Sequence, residues 1–373
     1  MSKYFSLIFG LIALHLFYGN FYVASAYYNQ AVGPSDQNKD DLAIANYTKA
    51  IELDPKNVKA YYDRGLAYSG QLKYDLAISD YNKVIELDPK FLLAYFKRGL
   101  TYTKQAKDDL VIADFTKVIE LDPKNVFAYF NRGLTYAKQN KYDDDLDLAI
   151  VDFTKVIELD PKYIFAYFNR GLTYAKQNKY DDDLDLAITD FTKVIELDPK
   201  YVFVYNSRGL AYAKQAKYDL AIADYNKAIE LDPKYVIAYN NRGFAYSSQL
   251  KYDLAIVDFT KVIEIDPKYV FAYYNRGNAY AKQNKYDDDL VLAIADYTKA
   301  IELNPKFAFA FYKRGNAYDE QKKYDLAIAD FTKAIELNPK HADAYNNRGL
   351  AYKAIGKTTE ADADFETAEA LKK

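Results

Sequence analysis

The sequence contains no cysteine and no tryptophan, and its 373 residues include one methionine and two histidines. The missing thiols exclude disulfides and thiolate metal sites. His15 stands in an apolar leader and His341 at a turn between repeats, so neither has an evident catalytic partner. Glycine-rich phosphate loops, zinc-ligand spacings and nucleophile elbows do not occur either. We therefore expect that the protein is not an enzyme and uses no cofactor and no metal.

The sequence also lacks a large excess of positive or negative charge. It has 50 lysines and arginines and 53 aspartates and glutamates, which gives a net charge of −3. Nucleic-acid binding needs a basic patch or stripe that neutralises phosphates, so we expect no nucleic-acid partner. Half of the residues are hydrophobic. A single core of that size would be unusual, which favours several domains or a repeat array.

Tyrosine, by contrast, occurs 40 times, and this excess comes from one repeated motif. Counted from Val58 as position 1, Tyr61 is at position 4, Arg64 at 7, Gly65 at 8 and Tyr68 at 11. The frame restarts at Leu92, Val126, Ile164, Val202, Val236, Val270, Ala308 and Ala342. Nine repeats thus cover 58–373, and a degenerate first copy covers 24–57.

Each repeat predicts a pair of helices. Positions 4, 8 and 11 share one face of a first helix, and positions 20, 21, 24, 27 and 28 share one face of a second helix. The small residues at positions 8 and 20, such as Gly65 and Ala77, allow the two axes to approach closely. An Asp-Pro or Asn-Pro pair at positions 31 and 32 stops the second helix. One such hairpin cannot bury its apolar face alone, so the sequence predicts an all-α solenoid of stacked hairpins.

The pattern Tyr-x2-Arg-Gly-x2-Tyr, then Ala-x3-(Tyr/Phe), then Pro, resembles the tetratricopeptide repeat over about nine-tenths of the chain, with Tyr in place of the usual Trp. Arg stands where Leu is usual, and Val111 where Ala is usual. The resemblance implies a right-handed superhelix with a concave groove lined mainly by the first helices.

Three repeats, starting at Val126, Ile164 and Val270, are four residues longer than the others, and positions after their extra residues are numbered as in the 34-residue repeats. The extra residues, as in Asp143-Asp144-Asp145-Leu146, stand between the helices, and four residues are close to one helical turn. We therefore expect the second helix to start one turn earlier. A calcium loop is the alternative, but the central Gly and distal Glu of such a loop are missing.

The long repeats 126–163 and 164–201 differ only at Val126/Ile164 and Val151/Thr189. Their near-identity suggests a recent duplication. Array length is then not tightly specified, which suits a generic scaffold.

The N-terminal segment has the features of a signal peptide: Lys3, an apolar run from Tyr4 to Tyr18, and Ala24-Ser25-Ala26 as a cleavage site. Residues 1–26 are therefore predicted to be a signal peptide, with an uncleaved membrane anchor or an apolar helix packed on the first repeat as alternatives. Both leading interpretations place the repeats outside the cytoplasm, either secreted or periplasmic, or held at the membrane.

At the other end, positions 21 and 28 are isoleucine in every earlier repeat but Asp362 and Glu369 in the last one. Such a polar outer face is typical of a capping repeat. We therefore expect the array to end there.

Two charged positions recur together. Position 7 is Arg64, Arg98, Arg132, Arg170, Arg208, Arg242, Arg276, Arg314 or Arg348. Position 23 is Asp80, Asp114, Asp152, Asp190, Asp224, Asp258, Asp296, Asp330 or Asp364. Both change together in the degenerate copy, to Gln30 and Asn46. We interpret them as structural ion pairs, including Arg132–Asp152 and Arg170–Asp190, since a guanidinium suits a partly buried carboxylate. The alternative is a row of ligand-binding arginines.

A second stripe on the first helices, at positions 2, 5, 6 and 9, is called here the first-helix face. In two repeats it consists of Phe127, Phe130, Asn131, Leu134 and of Phe165, Phe168, Asn169, Leu172. By resemblance these residues line a peptide-binding groove, and the alternative is that they pack between adjacent first helices.

The carboxylate clamp of chaperone-binding relatives is disfavoured, because its lysine at position 5 is replaced by Tyr, Phe or Asn. Asparagine recurs at position 6 instead, as Asn131, Asn169, Asn241, Asn275 and Asn347. This series resembles the asparagine ladder in the repeats of O-linked N-acetylglucosamine transferases, and its amides could pair with a peptide backbone. Towards the C-terminus the face becomes more polar through Asn206, Asn240, Asn278 and Asn316.

The sequence therefore predicts a protein-interaction scaffold that binds an extended or helical peptide segment in its groove. The alternative is a structural or self-assembling array without a specific peptide ligand.

Overall fold

The computed structural model describes residues 25–29, 37–141, 144–177, 182–283 and 288–372. These residues form helices and turns without a strand, so the predicted all-α solenoid is confirmed. Most of the predicted leader, 1–24, lies outside the described residues. Within the described ranges, every helix falls short of the length or the apolarity needed to span a bilayer.

The chain divides into two compact units, Met1–Gln177 and Asn178–Lys373, called unit 1 and unit 2. Unit 1 contains α1 (Gln37–Leu53), α2 (Val58–Gly70), α3 (Tyr74–Leu87), α4 (Leu92–Lys104), α5 (Asp108–Leu121), α6 (Val126–Gln139), α7 (Asp145–Leu159) and α8 (Ile164–Gln177). Unit 2 contains α9 (Asp183–Leu197), α10 (Val202–Lys214), α11 (Tyr218–Leu231), α12 (Val236–Ser248), α13 (Tyr252–Ile265), α14 (Val270–Gln283), α15 (Asp289–Leu303), α16 (Ala308–Glu320), α17 (Tyr324–Leu337), α18 (Ala342–Ala354) and α19 (Thr358–Ala370).

Helix pairing rests on a glycine against an aromatic ring. A Cβ added at Gly243 of α12 would lie 2.7 Å from Cε1 of Phe259, which is only 1% exposed on α13. In this repeat the first and second helices can therefore pack so closely only because position 8 has no side chain. Within each unit the second helix then packs on the first helix of the next repeat, and consecutive first helices also contact one another.

The turn between the two helices of a 34-residue repeat has a left-handed residue at position 15. Leu72 has φ 60°, and the N–H of Lys73 donates back to the carbonyl of Tyr68 at 2.9 Å. This is the Schellman type of helix ending, which usually takes glycine. Here glycine occupies the position only in the last repeat, as Gly356 with φ 80°.

The four-residue insertions do not lengthen the second helix by a turn, so that prediction is wrong. In 126–163, α6 has 14 residues and α7 has 15, against 13 and 14 for α4 and α5. Most of the insertion therefore forms loop. Asn140 ends α6 in a left-handed conformation, and the Asp145 carboxylate accepts the N–H of Lys141 at 2.6 Å, which closes the loop before α7. Residues 142–143 of this insertion lie outside the described residues.

Neighbouring repeats are joined by apolar and polar contacts. Ile85, at position 28, packs against the buried cluster around Tyr95 in the next repeat. On the surface, Gln105 Nε2 donates to Asp75 Oδ1 of the preceding repeat at 2.9 Å. The same contact from position 14 to position 18 joins Gln71–Asp41, Gln139–Asp109, Gln177–Asp147, Gln215–Asp185, Gln249–Asp219 and Gln283–Asp253. In the last repeat, Asp362 and Glu369 are exposed.

Candidate functional site

The arginines at position 7 connect three helices. Arg132 donates from Nε and Nη2 to the two carboxylate oxygens of Asp152 at 2.8 and 2.7 Å. Its Nη1 donates to Thr116 Oγ1 of the preceding second helix at 3.0 Å. Asp152 is 2% exposed. Burial raises the pKa of its carboxyl, and the Arg132 guanidinium opposes that rise. This is the geometry of the structural ion-pair interpretation.

The same pairing occurs along both units. It joins Arg64–Asp80, Arg98–Asp114, Arg208–Asp224, Arg242–Asp258, Arg276–Asp296, Arg314–Asp330 and Arg348–Asp364. The Arg170–Asp190 pair would span the boundary of the two units and stays a prediction. Where the pairs are described, the aspartate occupies the bidentate edge of the guanidinium, so these arginines are not a row of open ligand sites.

In unit 1, the phenylalanines of the first-helix face serve two different purposes. The ring of Phe130, at position 5, lies 5.9 Å from Phe153 and 5.1 Å from Tyr163, centroid to centroid. Phe127, at position 2, is 59% exposed, and its ring centroid lies 6.4 Å from that of Tyr163. The equivalent Phe165 is 47% exposed. Position 5 therefore packs between helices, whereas position 2 offers apolar surface to a partner.

The remaining face residues of unit 1 lie between these extremes. Leu172, at position 9, is 39% exposed, and Leu134, Phe168, Asn131 and Asn169 are partly buried. Asn131 Nδ2 donates to the Phe127 carbonyl at 2.7 Å, and Asn169 Nδ2 donates to the Phe165 carbonyl at 2.8 Å. One amide hydrogen of each predicted ladder residue is thus used by its own helix.

In unit 2 the asparagines pair with one another. Asn241 Nδ2 donates to Asn206 Oδ1 at 2.9 Å, and Asn275 Nδ2 donates to Asn240 Oδ1 at 3.2 Å. Asn275 is only 6% exposed. Each of these bonds links consecutive first helices and uses one of the two amide hydrogens of Asn241 or Asn275. Pairing of the ladder with a peptide backbone stays a prediction.

Two pockets lie side by side on the first-helix face of unit 2. One, of about 300 Å³, is mainly apolar and is lined by Leu210, Tyr225 and Phe244 among others. The other, of about 290 Å³, has Phe244 on one side and Lys282 and Lys313 on the other. Phe244 and Ser248 line both pockets. They therefore form a continuous recess across α10, α12, α14 and α16.

Phe244, Lys282 and Lys313 were not among the predicted site residues. Phe244 stands at position 9, where the neighbouring unit 2 repeats have Leu210 and Asn278, and Lys313 stands at position 6, where Asn is usual. These two departures from the repeat average were the available signal, whereas a lysine at position 13, such as Lys282, recurs in other repeats. Because a departure alone does not reveal which residues share a pocket, the spatial arrangement was needed to connect them.

Family models for the tetratricopeptide repeat match much of the chain. Models described as "Tetratricopeptide repeat" match 58–91, 202–235, 236–269, 270–307, 308–341, then 115–147, 153–185, 331–363, and 92–125. A model described as "TPR repeat" matches 36–71. A search of curated proteins found no significant match.

One solved structure shows the same fold, and others are similar to part of the chain. A tetratricopeptide repeat protein from Parabacteroides merdae is 19% identical, with 70% of this chain and 98% of that chain covered and a TM-score of 0.54. A MamA crystal structure is 31% identical, covering 46% of this chain and 91% of that chain with a TM-score of 0.42. YrrB, described as a TPR protein with an unusual peptide-binding site, is 26% identical. The match covers 48% of this chain and 91% of that chain, with a TM-score of 0.42.

Proposed function

The chain belongs to the tetratricopeptide repeat family, and we propose on that premise that it holds an extended or helical protein segment along its first-helix face. The observation that carries the proposal is the apolar surface left on this face. Phe127 in unit 1 and Phe244 in unit 2 are 59% and 48% exposed, and Phe244 borders two pockets. Half-exposed aromatic rings beside pockets are the anchors that protein partners use.

Different positions of each repeat form the fold and the first-helix face, and this separation supports the same proposal. Positions 7 and 23 form the ion pair, as in Arg132–Asp152, and positions 8 and 24 pack the two helices together, as in Gly243–Phe259. The first-helix face is free to vary, and it does so between repeats such as 202–235 and 308–341. A surface that varies on a constant frame is suited to recognising the successive side chains of one partner.

A phage-displayed library of random dodecapeptides, selected on the full chain, tests this proposal. The affinity of an enriched peptide is then measured for two triple variants. Phe127→Ala, Leu172→Ala and Phe244→Ala together should raise its Kd at least tenfold, because they remove the exposed anchors. Leu76→Ala, Leu220→Ala and Leu326→Ala, at 49%, 50% and 49% exposure on second helices, should leave it within about twofold. Equal losses in both variants would contradict the proposal.

A second candidate function, self-assembly, is favoured by a different surface. Leucine at position 19 is partly exposed on nine second helices, as Leu42, Leu76, Leu110, Leu148, Leu186, Leu220, Leu254, Leu292 and Leu326. An apolar side chain that recurs once in each repeat can match the same series on a second copy. Analytical ultracentrifugation should then show an oligomer that the triple leucine variant dissociates. A wild-type protein that sediments as a monomer would exclude this candidate.

We also propose that the protein is exported, with cleavage after Ala26. The arrangement of the next two residues supports this site. Tyr27 and Tyr28 pack against the cluster of Ala50, Ile51 and Ala60, and the Tyr28 hydroxyl donates to Asp63 Oδ2 at 2.7 Å. A mature chain starting at Tyr27 would keep these contacts. N-terminal sequencing of the native protein should give Tyr27. A soluble protein in the cytosol starting at Met1 or Ser2 would overturn the proposal.

A further inference from the structure

The pocket of about 290 Å³ in unit 2 is lined by two lysines and, among the described residues around it, by no carboxylate. Lys282 comes from α14 and Lys313 from α16, and the other polar residues of the lining are Ser247 and Ser248 of α12 and Asn275 and Asn278 of α14. Ammonium groups and serine hydroxyls are all hydrogen-bond donors. The chemistry of the lining therefore matches an anion.

Some lysines of unit 2 pair with a glutamate one turn further along the same helix. At position 26, Lys261 pairs with Glu264 at 3.0 Å and Lys299 with Glu302 at 2.9 Å. Lys282 and Lys313 form no such ion pair within the described ranges. Two like charges that line one pocket repel each other unless an anion lies between them.

Burial and the nearby charge both act on Lys313. Burial of its half-buried ammonium lowers its pKa, Lys282 lowers the pKa further, and Asp343 acts in the opposite direction. The ammonium also lies 5.5 Å from the centroid of the Tyr312 ring. A bound carboxylate would offset the cost of keeping this lysine charged in a partly desolvated position.

We propose that Lys282 and Lys313 bind a carboxylate side chain of the partner segment, while a neighbouring apolar side chain of that segment occupies the pocket between Leu210 and Phe244. This inference rests on the proposed function. The two pockets share Phe244 and Ser248, so adjacent side chains of one segment can enter both. The lysines stand at positions 13 and 6, away from the position-5 lysine of the carboxylate clamp.

The library selection described above, repeated with a Lys282→Gln/Lys313→Gln variant of the full chain, tests the inference. Peptides enriched on the wild type should place Asp or Glu close to an apolar residue, and the double variant should lose that preference. For one such peptide and its Glu→Gln counterpart, the wild type should show about a tenfold difference in Kd and the double variant no more than about twofold. Lys261→Gln/Lys299→Gln removes the same charge elsewhere and should behave as the wild type. Circular dichroism verifies that all variants fold.

The outcomes separate the two proposals. If no peptide is enriched on the wild type, peptide binding itself is wrong and the lysine inference falls with it. If peptides are enriched without an acidic preference, the groove proposal stands and the lysine inference is overturned. An acidic preference that survives in the double variant also overturns it, because the carboxylate then binds elsewhere.

Discussion

The first-helix faces of the two units are built on the same frame but from different side chains. In unit 1, position 5 carries Phe130, which packs against Phe153 and Tyr163. In unit 2, position 5 carries Asn240 in one repeat, paired with Asn275, and Tyr274 in the next, whose ring centroid lies 4.9 Å from that of Phe307. Both units therefore use aromatic packing, and unit 2 adds amide pairs between consecutive first helices.

This difference shows which positions the fold requires. The Arg–Asp pair, the glycine against an aromatic ring and the left-handed turn residue occur in both units, as Arg98–Asp114, Gly99 and Ala106 in one and Arg242–Asp258, Gly243 and Leu250 in the other. The first-helix face is not needed to form the hairpin. It can therefore change its polarity while the helices keep their places.

The largest predicted effect comes from adding one methyl group at position 8. At Gly243 the new Cβ would lie 2.7 Å from Cε1 of the buried Phe259, whereas at Gly99 the nearest atom, Asp114 Cβ, is 3.3 Å away. Gly243→Ala should destabilise the protein by about 2–3 kcal/mol. Gly99→Ala should stay within about 1 kcal/mol of wild type, because the gain in helix propensity offsets the closer contact. Urea unfolding followed by circular dichroism measures both, and equal losses would show that the two sites are equally tight.

The amide pairs give the next largest effect. Asn240→Ala removes the acceptor of the Asn275 amide, which is 6% exposed, and should cost about 1–2 kcal/mol. Asn131→Ala in unit 1 removes a bond to its own helix at a more exposed site and should cost less than about 0.5 kcal/mol. If the two variants unfold alike in urea, the amide pairs of unit 2 do not hold its repeats together.

A smaller effect of opposite sign is expected at position 15. Leu72 and Leu250 have φ 60° and 61°, so replacing either by glycine relieves left-handed backbone strain. Each variant should gain about 0.5–1 kcal/mol, after the entropic cost of glycine in the unfolded chain. The gains should be equal, since the turn belongs to the common frame. Gly356→Leu is the reverse control and should lose a similar amount.

The smallest effect concerns the lysine pocket of unit 2. The pKa of Lys313 is lowered in the folded protein, so the unfolded chain binds more protons between the lowered value and the ordinary one. The free energy of unfolding therefore rises as pH rises through that interval. Below it Lys313 is charged in both states, and its charge destabilises the folded state. Lys313→Met should slightly raise the melting temperature at neutral pH and flatten the stability change at alkaline pH. An unchanged pH profile would contradict the lowered pKa.

The fold could be read from the sequence almost to the residue, because its determinants are local and repeated. Within the described residues α2 begins at Val58 and α12 at Val236, where the repeat frame begins, and the second helix α3 ends at Leu87, before Asp88-Pro89. Spacing, glycine and proline are sufficient to set these limits.

The details of the site could not be derived in the same way. The sequence shows that Asn241 and Asn275 share a face, but it does not show that each donates to an asparagine of the preceding repeat. Such pairing depends on the distance between neighbouring first helices. The prediction for the insertion is wrong for a related reason: four residues fit one helical turn, but the contact between Lys141 and Asp145 closes a loop instead.

The reach of each arginine to the preceding repeat has a mechanical consequence. Arg132 holds its own helix pair together and also holds Thr116 of the repeat before it, so a repeat pulled away at one end breaks its own bonds and one bond of its neighbour. A chain stretched between its ends should therefore yield in steps of one repeat. Each repeat of 34 residues would release roughly 110–120 Å of extended chain, and each repeat of 38 residues slightly more. The three long repeats would thus appear in a force trace as distance markers along an otherwise regular series.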